Sequence, residues 1–349
     1  MADPSPADLG FRMPAEWTPQ AAVWLSWPLN PVTWRDRREA LLSAYARFAA
    51  AISHHEPVRI NCAIEHQSKA RDDLRAAGAN LARVEFFDIP TNDAWCRDHG
   101  PVFTRHRETG EVAVVDFTFN AWGGKFPPWD LDDAVPARVA EHLRLRRFVI
   151  PMICEGGALE VNGEGLLLTT ESVLLNPNRN TGWDKARTES MLRGALGVDD
   201  ILWLPSGLLG DDTDGHIDTL TRFFRPDAVL TVHDDDPSNA NHATLARNTR
   251  ILEAFRTRAG NRLEVVRLPN PDPIRVDNWR QEVLPPSYAN FLIVNDAVIV
   301  PTYRQPAKDD AALATLARCY PGRAIVPVDC HDIVLEGGAL HCLSQQQPL

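Results

Sequence analysis

No apolar run in this 349-residue sequence approaches the ~20 residues that cross a bilayer, which argues against a membrane-spanning helix. The opening stretch MADPSPADLGFRMPAEW has neither the basic nor the apolar region of a secretory signal, so a cytoplasmic location is expected. Basic residues are in deficit, with 36 Lys and Arg against 47 Asp and Glu and a formal charge of −11. Without a basic stripe to neutralise phosphates, nucleic acid is not an expected partner, whereas a small cationic ligand would be drawn in mildly. The six cysteines (Cys62, Cys96, Cys154, Cys319, Cys330, Cys342) form no CxxC pair, which speaks against a zinc knuckle or disulfide exchange. In a reducing compartment they are expected to stay thiols, mostly as small buried hydrophobes. There is no low-complexity tract either. With 44% hydrophobic and 24% charged residues the chain reads as an ordinary globule, and only its ten tryptophans and 27 prolines are in excess. Its length alone suggests two domains.

Apolar residues spaced by three or four predict helices over 35–53, 66–78, 131–146, 184–196, 239–259 and 308–319. Five are followed by a short apolar run read as a buried central strand: VEFFDIP from Val84, RFVIPM from Arg147, ILWLP from Ile201, EVVRLP from Glu264 and AIVPV from Ala324. Each holds or ends in proline, which forces a loop next. Their near-regular interval marks a repeat. Further strand-like runs lie between them: EVAVVDFTF, GLLLTTESVLLN, HIDTLTRFF and NFLIVNDAVIVPTY. Five α/β units with loops converging on one axis is the architecture expected, a serial α/β chain being the plainer alternative. The echo of EGGAL at Glu155–Leu159 and Glu336–Leu340 favours repetition, with both Glu-Gly-Gly turns at equivalent depth.

The loops after these strands hold the unusual residues. TNDAWCRDHGP carries Asp93, Trp95, Arg97 and Asp98; EGGAL carries Glu155; GDDTDGHID carries Asp211, Asp212, Asp214, His216 and Asp218; the fifth loop carries Cys342. The fourth, NPDPIRVDNWR, is less telling. His216 and Asp218, two apart on a strand, would share a face, as metal ligands, as an acid/base histidine with its anchor, or as a solvated turn. Cys342 is either a core thiol or a nucleophile, and the neighbouring glycines and the polar run SQQQ favour the second. Gly337 and Gly338 also suit a strand corner. Buried carboxylates need a positive partner. Arg97 could pair with Asp98 or Asp93, or the partner is a guanidinium, which fits two carboxylates and the face of Trp95. Trp17, Trp24, Trp27 and Trp122 read as core.

MPAEWTPQAAVWLSWP, NDAWCRDHGP, FNAWGGKF, EGGALEVNGEGLLLTTESVLLNPNRN, DDTDGHID, SYANF and ALHCLSQQQP together resemble the agmatine deiminases and related bacterial-type peptidylarginine deiminases, from about residue 13 to the end. The resemblance implies the α/β pentein fold, a five-bladed propeller with pseudo-fivefold repeats, formed by residues 13–349 as one domain with 1–12 as an extension. It implies Cys342 as nucleophile, His216 as general acid/base, Asp98 and Asp218 as the guanidinium grip, Glu155 as support for the histidine and Trp95 in the substrate channel. No metal and no organic cofactor are implied, and a homo-oligomer is. The chain departs from the family in EGGALHC, where GGGNIHC is frequent, and in DDTDGHID, where EDTNGHVD is frequent. Those changes leave open the far end of the substrate, where Asp212 or Asp214 could receive agmatine's amine or merely cap a turn. The expected activity is conversion of agmatine to N-carbamoylputrescine and ammonia. Alternatives are a deiminase of another arginine-derived guanidine, a non-catalytic pentein binding protein and a metal-dependent hydrolase.

Overall fold

The computed structural model describes residues 4–258, 260–277 and 283–349. Its strands form five sheets of one construction, beside a two-stranded ladder of Ile274–Arg275 and Val283–Leu284. In each sheet a middle strand pairs antiparallel on one side and parallel on the other with a strand that follows a helix. The middle strands are Gln20–Ser26, Val112–Thr118, Leu166–Thr170, Ala228–His233 and Ala297–Thr302. Parallel neighbours require a crossover. The helices Arg38–His55, Val135–Leu143, Lys185–Leu196, His242–Ala254 and Pro306–Cys319 supply one to each module. The mixed α/β class and the five-unit count therefore agree with the expectation.

Helix Arg38–His55 illustrates how a module holds together. It buries Leu41, Ala44, Tyr45, Phe48 and Ile52, one stripe at helical spacing, in a cluster with Val23, Leu25, Val58 and Ile60 of the adjoining sheet. Truncating a fully buried side chain such as Phe48 to Ala would cost about 3–5 kcal/mol.

Several local expectations are corrected. The five proline-bearing runs are edge strands, not central ones: Val84–Phe87, Arg146–Ile153, Asp200–Leu204, Glu264–Pro269 and Ala324–Asp329 each pair on one side only. Proline has no N–H for a ladder, so an edge tolerates it, and Pro151 stands where the register slips between Phe117 and Thr118. The helix expected over 131–146 breaks into Asp130–Asp133 and Val135–Leu143, with Pro136 in the restart, and gives way to a strand at Arg146. GLLLTTESVLLN turns from strand to helix at Glu171. The helix of the fourth module is His242–Ala254, and Ala259 lies outside the described residues. NPDPIRVDNWR holds the short strand Ile274–Arg275, and its residues 278–280 also lie outside.

Ser344–Pro348 closes the chain on itself by pairing antiparallel with Gln20–Ser26. Its glutamines are not a polar tail: Gln345 and Gln346 accept from Arg97, Gln347 accepts from Trp24 and Arg59, and Gln345 donates to the Pro101 carbonyl. This strand fixes Cys342 two residues before it. No helix among the described residues is long and apolar enough to cross a membrane.

Candidate active site

The connection leaving each module's last parallel strand brings one part of a common buried cluster. Asp98 follows Val84–Phe87, Glu155 follows Arg146–Ile153, His216 and Asp218 follow Asp200–Leu204, Asn290 follows Glu264–Pro269, and Cys342 follows Ala324–Asp329. The fourth connection, unremarkable in sequence, thus supplies Asn290.

Asp98 lies on the one-turn helix Cys96–His99. Its Oδ1 accepts from the Gly157 N–H at 3.0 Å and its Oδ2 from the Trp122 indole at 2.9 Å. Trp122 therefore belongs to the site, although it reads as core filling in sequence. His216 is fully buried, with Nδ1 3.6 Å from Asp98 and Nε2 3.7 Å from Glu155. Glu155 is tied to Arg179, which also binds Asp214. Burial works against charge on all of these groups. It raises the Asp98 carboxyl to about 7. It would also strip His216 of its charge, but Asp98 and Glu155 outweigh it and lift the imidazole to about 9. Glu155 stays below its usual range because Arg179 and His216 overcome burial. Gly157 is what lets these groups meet: a Cβ there would lie 2.5 Å from His216 Nδ1 and 2.7 Å from Asp98 Oδ1.

Cys342 Sγ lies 3.1 Å from Asn290 Nδ2 and 3.5 Å from Asp218 Oδ2. The Asn290 side-chain oxygen accepts from the backbone N–H groups of His341 and Cys342, so one amide holds both thiol and backbone. Arg97 is buried and grips the same turn: its N–H donates to the Cys342 carbonyl and its Nε to the His341 carbonyl. Its side-chain partners are Gln345, Gln346 and Glu16, in place of the pairing with Asp98 or Asp93 that the sequence allowed. Burial, with the Asp218 and Asp98 charges added, pushes the Cys342 thiol well above its usual range. The Asp218 carboxyl goes the other way, since His341, His216 and Arg222 outweigh burial. Asp218 Oδ1, Glu155 Oε2 and both His216 ring nitrogens are buried without a hydrogen bond among the described residues. A concentration of such atoms is costly in a core and marks a place built for a polar guest.

A narrow cleft opens onto Cys342 and Asp98. Its walls carry Trp95, Trp122 and Phe126 and the acids Asp93, Asp211, Asp212 and Glu336, with no Lys or Arg among the described lining residues. Trp95 stacks on Trp34, and Gly338 leaves room for it, since a Cβ there would come within 2.3 Å of the Trp95 ring.

Two sequence arguments fail locally. His216 and Asp218 do not share a strand face: the chain enters a 3-10 turn, Ile217–Thr219, directly after His216, and Asp218 meets His341 rather than pairing with His216. The two EGGAL copies also differ. In the first, the turn Gly156–Ala158 follows a buried Glu155; in the second, Val334–Glu336 precedes the glycines and places Glu336 on the cleft wall. Asp214 is not on that wall, being occupied by Lys125 and Arg179, whereas Asp212 is. His341, Glu16, Arg179 and Asn290 sit inside recognised motifs, but nothing local distinguishes them from structural polar residues.

The family model of the Porphyromonas-type peptidyl-arginine deiminases matches residues 12–348. The agmatine deiminase of Ectopseudomonas mendocina is 38% identical over 97% of this chain and 96% of its own. Among solved structures, an Enterococcus faecalis agmatine deiminase superposes with a TM-score of 0.93 at 32% identity, covering 100% of this chain and 98% of that one. A C. jejuni agmatine deiminase with substrate bound gives 0.87 at 30% identity, covering 97% and 96%.

Proposed function

The chain belongs to the Porphyromonas-type peptidyl-arginine deiminase family, and from that premise we propose that it is a cytoplasmic agmatine deiminase that replaces one guanidinium nitrogen of agmatine by water's oxygen. The observation that carries the reading is a buried thiol, 3.5 Å from one carboxylate, at the end of a cleft whose charged lining residues, among those described, are acidic. Agmatine is a cation at both ends and suits such a cleft along its length. Free arginine or a peptide would bring carboxylate or carbonyl groups to walls whose described lining residues include acids and no Lys or Arg. Two like charges ~6 Å apart repel by roughly 3 kcal/mol at an effective dielectric of 20, before screening by solvent, which is ample to discriminate.

In this reading Asp98 and Asp218 hold the guanidinium, and its flat face lies over Sγ. The free protein keeps Cys342 as a thiol because the group is buried and the Asp218 and Asp98 charges add to that. A guanidinium placed between them offsets the charge of a thiolate, so binding of substrate favours loss of the thiol proton to solvent water. Sγ then adds to the central carbon. His216, held protonated by Asp98 and Glu155, gives its proton to the departing nitrogen as the C–N bond breaks, and ammonia leaves. The neutral imidazole next takes a proton from water. The hydroxyl adds to the amidino-thioether carbon, the C–S bond breaks and N-carbamoylputrescine is released. Ammonia release from agmatine, free arginine and an arginine-containing peptide, measured side by side, tests the assignment. A preference for arginine or the peptide would refute it.

A further inference from the structure

Beside the reacting groups lies a second buried charge cluster. Glu16, from the segment before the first sheet, reaches across the chain's whole length to His341, its Oε2 2.9 Å from Nε2. The other ring nitrogen, Nδ1, is 2.7 Å from Asp218 Oδ2, the same oxygen that stands 3.5 Å from Cys342 Sγ. Arg222 binds both Glu16 and Glu160, and all of these side chains are buried.

Charge counting decides the state of the ring. Burial pushes Glu160 up to about 7, yet both its oxygens accept, one from Arg222 and one from the Phe223 N–H, so it is ionised here. Burial also opposes charge on Glu16, but Arg222, His341 and Arg97 outweigh it. Asp218 is likewise held ionised. With His216 set against Asp98 and Arg179 against Glu155, three carboxylates face two guanidiniums, Arg222 and Arg97, and the cluster is one positive charge short. Burial, Arg222 and Arg97 all lower the affinity of His341 for a second proton. Against them, each ring nitrogen faces an ionised oxygen within hydrogen-bond distance. A neutral ring would set a bare lone pair against one of the carboxylates, which is costlier in a buried site than the proton.

We propose that Glu16 is a positioning residue acting through His341: it keeps that ring doubly protonated, so that Nδ1–H holds Asp218 Oδ2 and a positive charge stands beside the Cys342 thiol. Asp218 Oδ1 is then the oxygen left to grip a cationic substrate. Taking Asp218 and Cys342 as reacting groups rests on the deiminase reading, but the ring's protonation and the thiol's reactivity are both measurable without turnover.

Nitrogen-15 spectra of the imidazole-labelled full chain read the ring directly, with His341 assigned by loss of its signals in His341→Gln. The expected result is two ring N–H groups at pH values well above the ~6.5 of a free imidazole. A ring with one N–H at neutral pH overturns the proposal on the wild-type protein alone, whatever the variants do. In Glu16→Gln the ring is expected to carry one N–H. Alkylation of Cys342 by iodoacetamide, mapped to its peptide, is expected to slow about tenfold at fixed pH, one unit in thiol acidity. Glu16→Asp, which keeps the charge, is expected to restore alkylation to within about threefold of wild type. Equal slowing in Glu16→Gln and Glu16→Asp would show packing alone and sink the idea. A doubly protonated ring in a protein that releases no ammonia from agmatine would count against the deiminase reading and not against this relay.

Discussion

Gly157→Ala adds one methyl group and should nearly silence the protein. The φ of Gly157 lies outside the left-handed region, so the backbone accepts alanine, and the cost lies in space alone. The new carbon would stand 2.5 Å from His216 Nδ1 and 2.7 Å from Asp98 Oδ1, where ordinary contact begins near 3.4 Å. Imidazole and carboxylate must therefore retreat by about 0.9 and 0.7 Å, or the turn must shift by as much. Retreat is resisted. Glu155 backs His216 from the other ring nitrogen and is itself held by Arg179, while Trp122 fixes the second Asp98 oxygen. A misplacement of this size costs on the order of 10²-fold in rate. The overpacking should cost about 1–3 kcal/mol of stability, leaving a folded protein. Ammonia release from agmatine gives kcat, and thermal unfolding confirms the fold. Gly322→Ala is the control, since a Cβ there meets nothing within 4 Å and φ is not left-handed; it should be neutral or slightly stabilising. If Gly157→Ala keeps kcat within a fewfold of wild type, the contact between His216 and Asp98 does not matter to the reaction and the reasoning fails.

Other expectations follow from the same geometry. In the proposed mechanism Asp98 holds the substrate as the carboxylate and His216 acts as the acid in its protonated form, so kcat/KM should rise through about pH 7 and fall through about pH 9. A profile still rising above the second value would contradict the assignment of the acid. Trp122→Phe keeps the ring but removes the N–H given to Asp98 Oδ2; it should lower kcat/KM about tenfold and move the acid limb upward, because that hydrogen bond favours the ionised carboxyl. Asp212→Asn should narrow the preference for agmatine over an uncharged-tail alkylguanidine severalfold with little change in Tm, an unchanged ratio placing the amine elsewhere. Arg97→Ala removes the clamp on the Cys342 turn, takes the shared donor from Gln345 and Gln346 and removes one of the cations facing Glu16; it should cost about 3–5 kcal/mol, read as a lower Tm together with lost activity.

The module count was legible because proline and glycine punctuate each unit at a similar interval, and helical spacing names the crossovers. Which strand is central was not, since a short apolar run reads alike at the middle of a sheet and at an edge that proline tolerates. The segments carrying Asp98, Glu155, His216, Asp218 and Cys342 stand out because acids, a histidine and a thiol cluster next to strand ends. Their partners do not stand out. Glu16 meets His341 across 325 positions and Arg97 meets Gln345 across 248, and nothing in a local pattern encodes such pairings. Trp122 was hidden for another reason: its apolar ring suits a core, and only the fold reveals that its N–H meets a carboxylate.

The most direct measurement is the mass of acid-quenched protein caught during turnover of agmatine. A gain equal to agmatine less ammonia, mapped to the peptide bearing Cys342 and absent from Cys342→Ser along with ammonia release, is the predicted result. Undiminished ammonia release by a folded Cys342→Ser protein would contradict the account.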